Sequence, residues 1–235
     1  MTLGQPPEYL ANPAFVAHEE NTEGRDFVVG DIHGQYDLLQ EAMASVGFDR
    51  KRDRLFSVGD LIDRGARSYD CLSLPFEPFF HGVLGNHELM AFNALAHNGT
   101  QEDWNLWQMN GGAWIAGEDA REVAILAREA ARYLPLAREV VVNGKRIGIC
   151  HAEPPEDWCL LRDTPKALVK PTLWSRTRNK RDIQTRVANI DAVVVGHTPV
   201  EAPRWQGNVL YIDTGAFLKQ GHLTLLDLSD ISIHI

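Results

Sequence analysis

The chain has 235 residues, 44% hydrophobic and 23% charged, proportions that suit a soluble protein with one sizeable core. A formal net charge of −9 argues against nucleic acid as a partner, and no apolar run reaches the eighteen or so residues of a spanning helix, so no membrane is expected. Cys71, Cys150 and Cys159 lack paired spacing and residues 1–25 lack a basic-then-apolar signal pattern, which together point to a reducing, cytoplasmic setting.

Residues 1–25 are polar and punctuated by Pro and Gly, and read as an N-terminal extension to a single domain over 26–235. A strand is predicted at 26–30, followed by an amphipathic helix on which Leu38, Leu39, Ala42, Met43 and Val46 recur at helical spacing before Gly47. Strands follow at 54–58 (RLFSV) and 81–85 (HGVLG), and helices over 88–97 and 119–134. The second half changes character. REVVV and KRIGIC flank Asn143-Gly144, a strong hairpin signal, and further strands are predicted at 191–196, 208–213 and 222–228. This order, βαβα and then mostly β, predicts an α/β fold with helices covering packed sheets.

The strand ends share one pattern. Strand 26–30 delivers Asp31 and His33, 54–58 runs into Gly59-Asp60 with Asp63-Arg64-Gly65 beyond, and 81–84 runs into Gly85-Asn86-His87-Glu88. Strand 145–150 ends at His151 and strand 191–195 at Gly196-His197. Ligands of α/β sheets bind beyond the carboxyl ends of strands, and five such ends can converge there. Asp31, His33, Asp60, Asn86, His151 and His197 supply three oxygen donors and three imidazoles without a thiolate, a mixture that suits Mn, Fe or Zn better than Ca. Six donors exceed what one catalytic ion with an open position needs. They suit two divalent ions about 3.5–4 Å apart that share a carboxylate, the geometry of in-line displacement at phosphorus. Taken alone, Asn110-Gly111-Gly112 reads as a turn, Cys150 as a core residue, and His18, His81, His97 and His222 carry no site pattern.

GDIHG (30–34), GDLIDRG (59–65) and GNHE (85–88), with His151 and GHT (196–198), resemble the phosphoprotein phosphatase family of metallophosphoesterases. NGGAW, LWSR and YIDTGA are most similar to its bacteriophage lambda-type serine/threonine phosphatases, and the likeness spans about residues 26–228. The resemblance implies a central β-sandwich of mixed sheets flanked by helices. It implies that Asp31, His33 and Asp60 hold one metal and Asp60, Asn86, His151 and His197 the other, with Mn²⁺ preferred and Fe or Zn as alternatives. His87 and Asp63 match the family's general-acid pair and Arg64 its phosphate-binding arginine; Arg176 best fits the second, with Arg178 two residues on. HAEPP (151–155) departs from the family pattern, in which many relatives have glycine after the alanine. The implied activity is one-step hydrolysis of phosphorylated proteins or peptides by water activated between two cations. Hydrolysis of diadenosine polyphosphates and broad phosphodiesterase activity are the alternatives within the same fold.

Overall fold

The computed structural model describes residues 13–163 and 165–231. Its elements in chain order are β1 (Phe15–His18), β2 (Asp26–Val29), α1 (Tyr36–Ser45), β3 (Arg54–Ser57), α2 (Ser68–Ser73), β4 (Phe80–Gly82), α3 (Asn86–Leu95), α4 (Gln101–Met109) and α5 (Ala120–Ala130). The hairpin β5 (Ala137–Val142) and β6 (Lys145–Cys150) follows, then α6 (Leu160–Asp163), α7 (Pro165–Trp174), α8 (Thr177–Lys180), β7 (Ala192–Val195), β8 (Arg204–Gln206), β9 (Val209–Tyr211) and β10 (Leu225–Asp227).

These strands make two mixed sheets. One has the order β10-β2-β3-β4 and is parallel except at β10; the other has the order β1-β5-β6-β7-β9-β8, with β5–β6 and β8–β9 antiparallel. Alternate side chains of a strand face opposite sides, so each sheet must cover two apolar faces. Val28 and Phe56 from the first sheet, with Val83 just beyond β4, meet Val140, Ile147, Ile149, Val194 and Leu210 from the second in one cluster. Their neighbours Phe27, Val29, Leu55, Val193 and Tyr211 belong instead to the larger cluster that includes the helices. The result is a sandwich with helices outside it. Each large aliphatic side chain buried between the sheets is worth about 1.5–3 kcal/mol. At the β5–β6 turn Asn143 and Gly144 are both left-handed, with φ 51° and 71°, as a two-residue hairpin turn requires.

Several boundaries differ from the sequence reading. Residues 15–18, expected in an extension, form β1, which pairs in parallel with β5 from Phe15↔Ala137 to His18↔Val140. Four residues are too few to show a period, and the segment is held by contacts distant in sequence: Phe15 meets Trp158 edge-on at 6.1 Å, and Arg54 donates to the Glu19 carbonyl at 3.0 Å. Residues 1–12 of the expected extension lie outside the described residues. The helix predicted over 119–134 ends at Ala130 and tightens into a 3-10 turn, Ala131–Tyr133. The helix expected over 88–97 begins at Asn86 and ends at Leu95, which places Asn86 and His87 in its first turn.

Candidate active site

The carboxyl ends of β2, β3, β4, β6 and β7 bring the predicted residues to one place. Asp31, His33, Asp60, Arg64, Asn86, His87, Arg176 and His197 line a single cavity of about 370 Å³. The sharp bends that expose them are strained. Five non-glycine residues here are left-handed, His33 (φ 46°), Asp60 (52°), Asp63 (74°), Arg64 (70°) and His197 (63°), a conformation that costs about 1–3 kcal/mol each and persists because the surroundings hold it. Glycine makes the close approaches possible: a Cβ on Gly85 would lie 2.3 Å from Asp60 Oδ1, and one on Gly196 1.9 Å from Asp31 Oδ1.

Two groups of donors are assembled among the described residues, His33 with Asp60 and His87, and Asp60 with His151 and His197, the donor atoms of each lying within 4.8 Å of one another. Asp60 is common to both. His33 Nδ1 faces the Ile62 carbonyl at 3.0 Å, which leaves Nε2 to the cavity, 3.7 Å from Asp60 Oδ2. His151 has oxygen on both sides, the Val58 carbonyl 2.8 Å from Nδ1, and Asn86 Oδ1 and Asp60 Oδ1 at 2.9 and 3.4 Å from Nε2. Only a protonated imidazole can donate to both sides, and against burial the Asp60 carboxylate raises the His151 pKa toward that form. A cation among Nε2, the Asn86 oxygen and the Asp60 carboxylate satisfies all three, so the donor set fits a metal. Asp31 stands outside these two groups, where its oxygens accept the His197 backbone N–H at 3.1 and 3.2 Å. His87 was expected as an acid and not as a ligand; it sits in the first group, yet its Nδ1 is engaged at 2.7 Å by Asp63 Oδ2.

Burial and neighbouring charges shift these groups in different directions. Burial raises the Asp31 pKa well above the ordinary carboxylate value, and the Asp213 and Asp60 charges add to it. For Asp60 burial acts in the same sense, but His151 and His87 outweigh it and hold the group ionised. Burial lowers His33 and His197 to about 3, which keeps them neutral, the form in which imidazole binds a cation. His87 is raised instead: burial opposes its charging, and Asp60 and Asp63 prevail.

Arg64 donates from Nη1 to His33 Nε2 at 2.9 Å and from Nη2 to His87 Nε2 at 3.1 Å, and stacks on Phe217 at 4.1 Å. Arg176 donates to the His197 carbonyl at 3.1 Å and lines the cavity. Arg178 points elsewhere, buried, with Nη1 on the Ile183 and Thr185 carbonyls. The departing HAEPP loop has a local purpose, since Glu153 accepts from Ser175 Oγ and from the backbone N–H groups of Thr177 and Arg178, anchoring the segment that carries Arg176.

Other residues of the site received no role from the sequence pattern. Glu88 is fully buried, with Oε2 accepting the N–H groups of Asp60 and Gly85 and Oε1 those of Leu61 and Ile62, so it holds the turn that presents Asp60. Trp107 and Trp114 both donate to Asp63 Oδ1. Glu88 lay inside the quoted GNHE, where its spacing from the glycine could have flagged it.

Oxygen and nitrogen donors around one shared carboxylate, with guanidinium groups in the same cavity, are the equipment of a metal-dependent phosphoester hydrolase. The chain belongs to the calcineurin-like phosphoesterase family, which it matches over residues 27–205. It is 39% identical over 204 residues to serine/threonine-protein phosphatase 1 of Salmonella typhimurium, covering 85% of this chain and 89% of that one. A symmetrical bis(5'-nucleosyl)-tetraphosphatase of Actinobacillus pleuropneumoniae is 42% identical over 65 residues, 27% of this chain and 24% of that one. A protein serine/threonine phosphatase from Saccharomyces cerevisiae shares the fold with a TM-score of 0.60 at 14% identity, over 86% of this chain and 71% of that one. Among the described residues no helix is long and apolar enough to cross a membrane.

Proposed function

We propose that the protein is a serine/threonine phosphoprotein phosphatase that hydrolyses phosphomonoesters in one step. Asp31, His33 and Asp60 would hold one divalent cation, and Asp60, Asn86, His151 and His197 a second, with Mn²⁺ preferred over Fe or Zn. Such ions supply water activation near neutral pH and neutralise phosphoryl charge. Arg64 and Arg176 bind phosphoryl oxygens, a task for which planar guanidinium forks are suited. A phosphoryl group entering the cavity offers the Arg64 guanidinium an anionic partner in place of His87 Nε2, and leaves that nitrogen to the departing oxygen. His87 then protonates it from Nε2, a contribution of about 10²–10⁴-fold.

The observation that carries this reading is the 2.7 Å bond from His87 Nδ1 to Asp63 Oδ2, with Nε2 turned to the cavity. A serine or threonine alkoxide is strongly basic and cannot leave without a proton. A nucleoside polyphosphate is a weak base and leaves with far less help. Its hydrolysis is the second reading, favoured by the 65-residue match to the tetraphosphatase. The test compares Mn²⁺-supplemented kcat/KM on phosphoserine and phosphothreonine peptides with that on diadenosine tetraphosphate. The peptides are expected to be the better substrates. A tenfold preference for the dinucleotide, about 1.4 kcal/mol of transition-state stabilisation, reverses the assignment.

A further inference from the structure

The turn Asn110-Gly111-Gly112 and the tryptophans on either side of it have no part in the roles given above. Trp107, in the last turn of α4, is fully buried and donates from Nε1 to Asp63 Oδ1 at 2.9 Å. Trp114, in the 3-10 segment that follows, donates to the same oxygen at 2.7 Å. Between them Gly111, at φ 115°, turns its carbonyl to the Arg64 N–H at 3.2 Å. A Cβ on Gly111 would lie 2.8 Å from Arg64 Cγ, and one on Gly112 2.7 Å from the Trp107 indole. One segment, 107–114, therefore grips both Asp63 and Arg64, two consecutive left-handed residues that strain the backbone.

We propose that Trp107 and Trp114 are positioning residues for the acid step, their indole N–H groups clamping Asp63 Oδ1 so that Oδ2 stays on His87 Nδ1. The proposal rests on the acid-pair reading above. Asp63 is fully buried, so both of its oxygens must find their hydrogen-bond donors within the protein. An arginine or lysine in place of the indoles would neutralise Asp63 and loosen its hold on a charged imidazole. An indole donates without carrying charge and has no acceptor to compete for the His87 proton. Two such donors on one oxygen also fix the rotation of the carboxylate.

The test replaces each donor and keeps the ring, Trp114→Phe and Trp107→Phe, with Asp63→Asn beside them. Turnover of the Mn²⁺-loaded enzyme is measured on a phosphoserine peptide and on p-nitrophenyl phosphate, whose leaving group needs little protonation, together with bound metal and Tm. Each Trp variant is expected to lose about tenfold in kcat on the peptide, with a much smaller loss on the aryl ester and unchanged metal content. In an Asp63→Asn background the same changes should cost nothing further. Equal losses on the two substrates, or additive losses in that background, overturn the clamp. Should Asp63→Asn itself treat both substrates alike, the acid-pair reading falls and the clamp with it; a selective Asp63→Asn with unselective Trp variants sinks the clamp alone. Trp114 is only partly buried, so Trp114→Phe decides the matter if Trp107→Phe fails to fold.

Discussion

His87 and His151 have different jobs because their ring nitrogens have different partners. Asp63 takes Nδ1 of His87, whereas His151 is pinned by the Val58 carbonyl and aims Nε2 at Asn86 and Asp60. His87→Asn is therefore expected to keep its bound metal and lose most turnover on alkyl phosphates, and His151→Asn to lose metal; metal analysis of the two purified variants checks this, and equal depletion would overturn it. Residues of this kind were legible because each stands just beyond the end of an apolar run. Glu88, Trp107 and Trp114 were not, because their meaning lies in what they touch. Glu88 serves four backbone N–H groups of two strand ends, and the tryptophans reach Asp63 from 44 and 51 positions away.

Among the elements, β1 and β4 bring together a half-buried basic cluster that ties one sheet to the other. His18 lies edge-on to Phe56 at 5.2 Å and 4.8 Å from His81, and accepts from Arg138 Nη1 at 3.0 Å. Burial, then the Arg138 charge, lowers His18 to about 3 and His81 to about 4. Unfolded histidine titrates near 6.5, so between that value and the folded pKa the unfolded chain binds more protons. The stabilisation is complete above pH 6.5 and is lost as pH falls. Each histidine, discounted for partial exposure, should contribute about 1 kcal/mol of that loss by pH 5. His18→Gln/His81→Gln is thus expected to show a smaller fall in Tm between pH 7 and pH 5 than the parent; an equal fall would refute it. Strands with a clear run and the Asn143-Gly144 hairpin could be read from sequence. The four-residue β1, the three-residue β8 and the short helices α6 and α8 could not, since so few residues express no period.

For the molecule as a whole, the sandwich gathers the Asp31, Asp60 and Asp213 carboxylates at its sheet ends, in a chain of formal charge −9. A cation that binds there binds only the folded chain, which makes it a stability term as well as a catalytic one, worth about 2.7 kcal/mol at a hundredfold excess over the dissociation constant. Chelation should lower Tm and abolish phosphatase activity, and Mn²⁺ should restore both; a verified metal-free preparation with full activity and unchanged Tm would contradict this. The α/β class and the meeting of five strand ends were legible, because apolar runs and their terminators are local. The sheet orders were not, because they join segments far apart, β1 to β5 and β2 to β10. That topology also sets a timetable for synthesis. The Gly30 N–H, one residue before Asp31, bonds to the Thr224 carbonyl at 3.0 Å, and β10 closes the edge of β2 only once residues 225–227 exist. At ribosomal speeds of about 5–20 residues per second, that edge stays open for on the order of 10–40 s after it is made. Asp31 is thus the first of the site's residues to be translated, and its strand is the last of those leading to the site to gain its second neighbour.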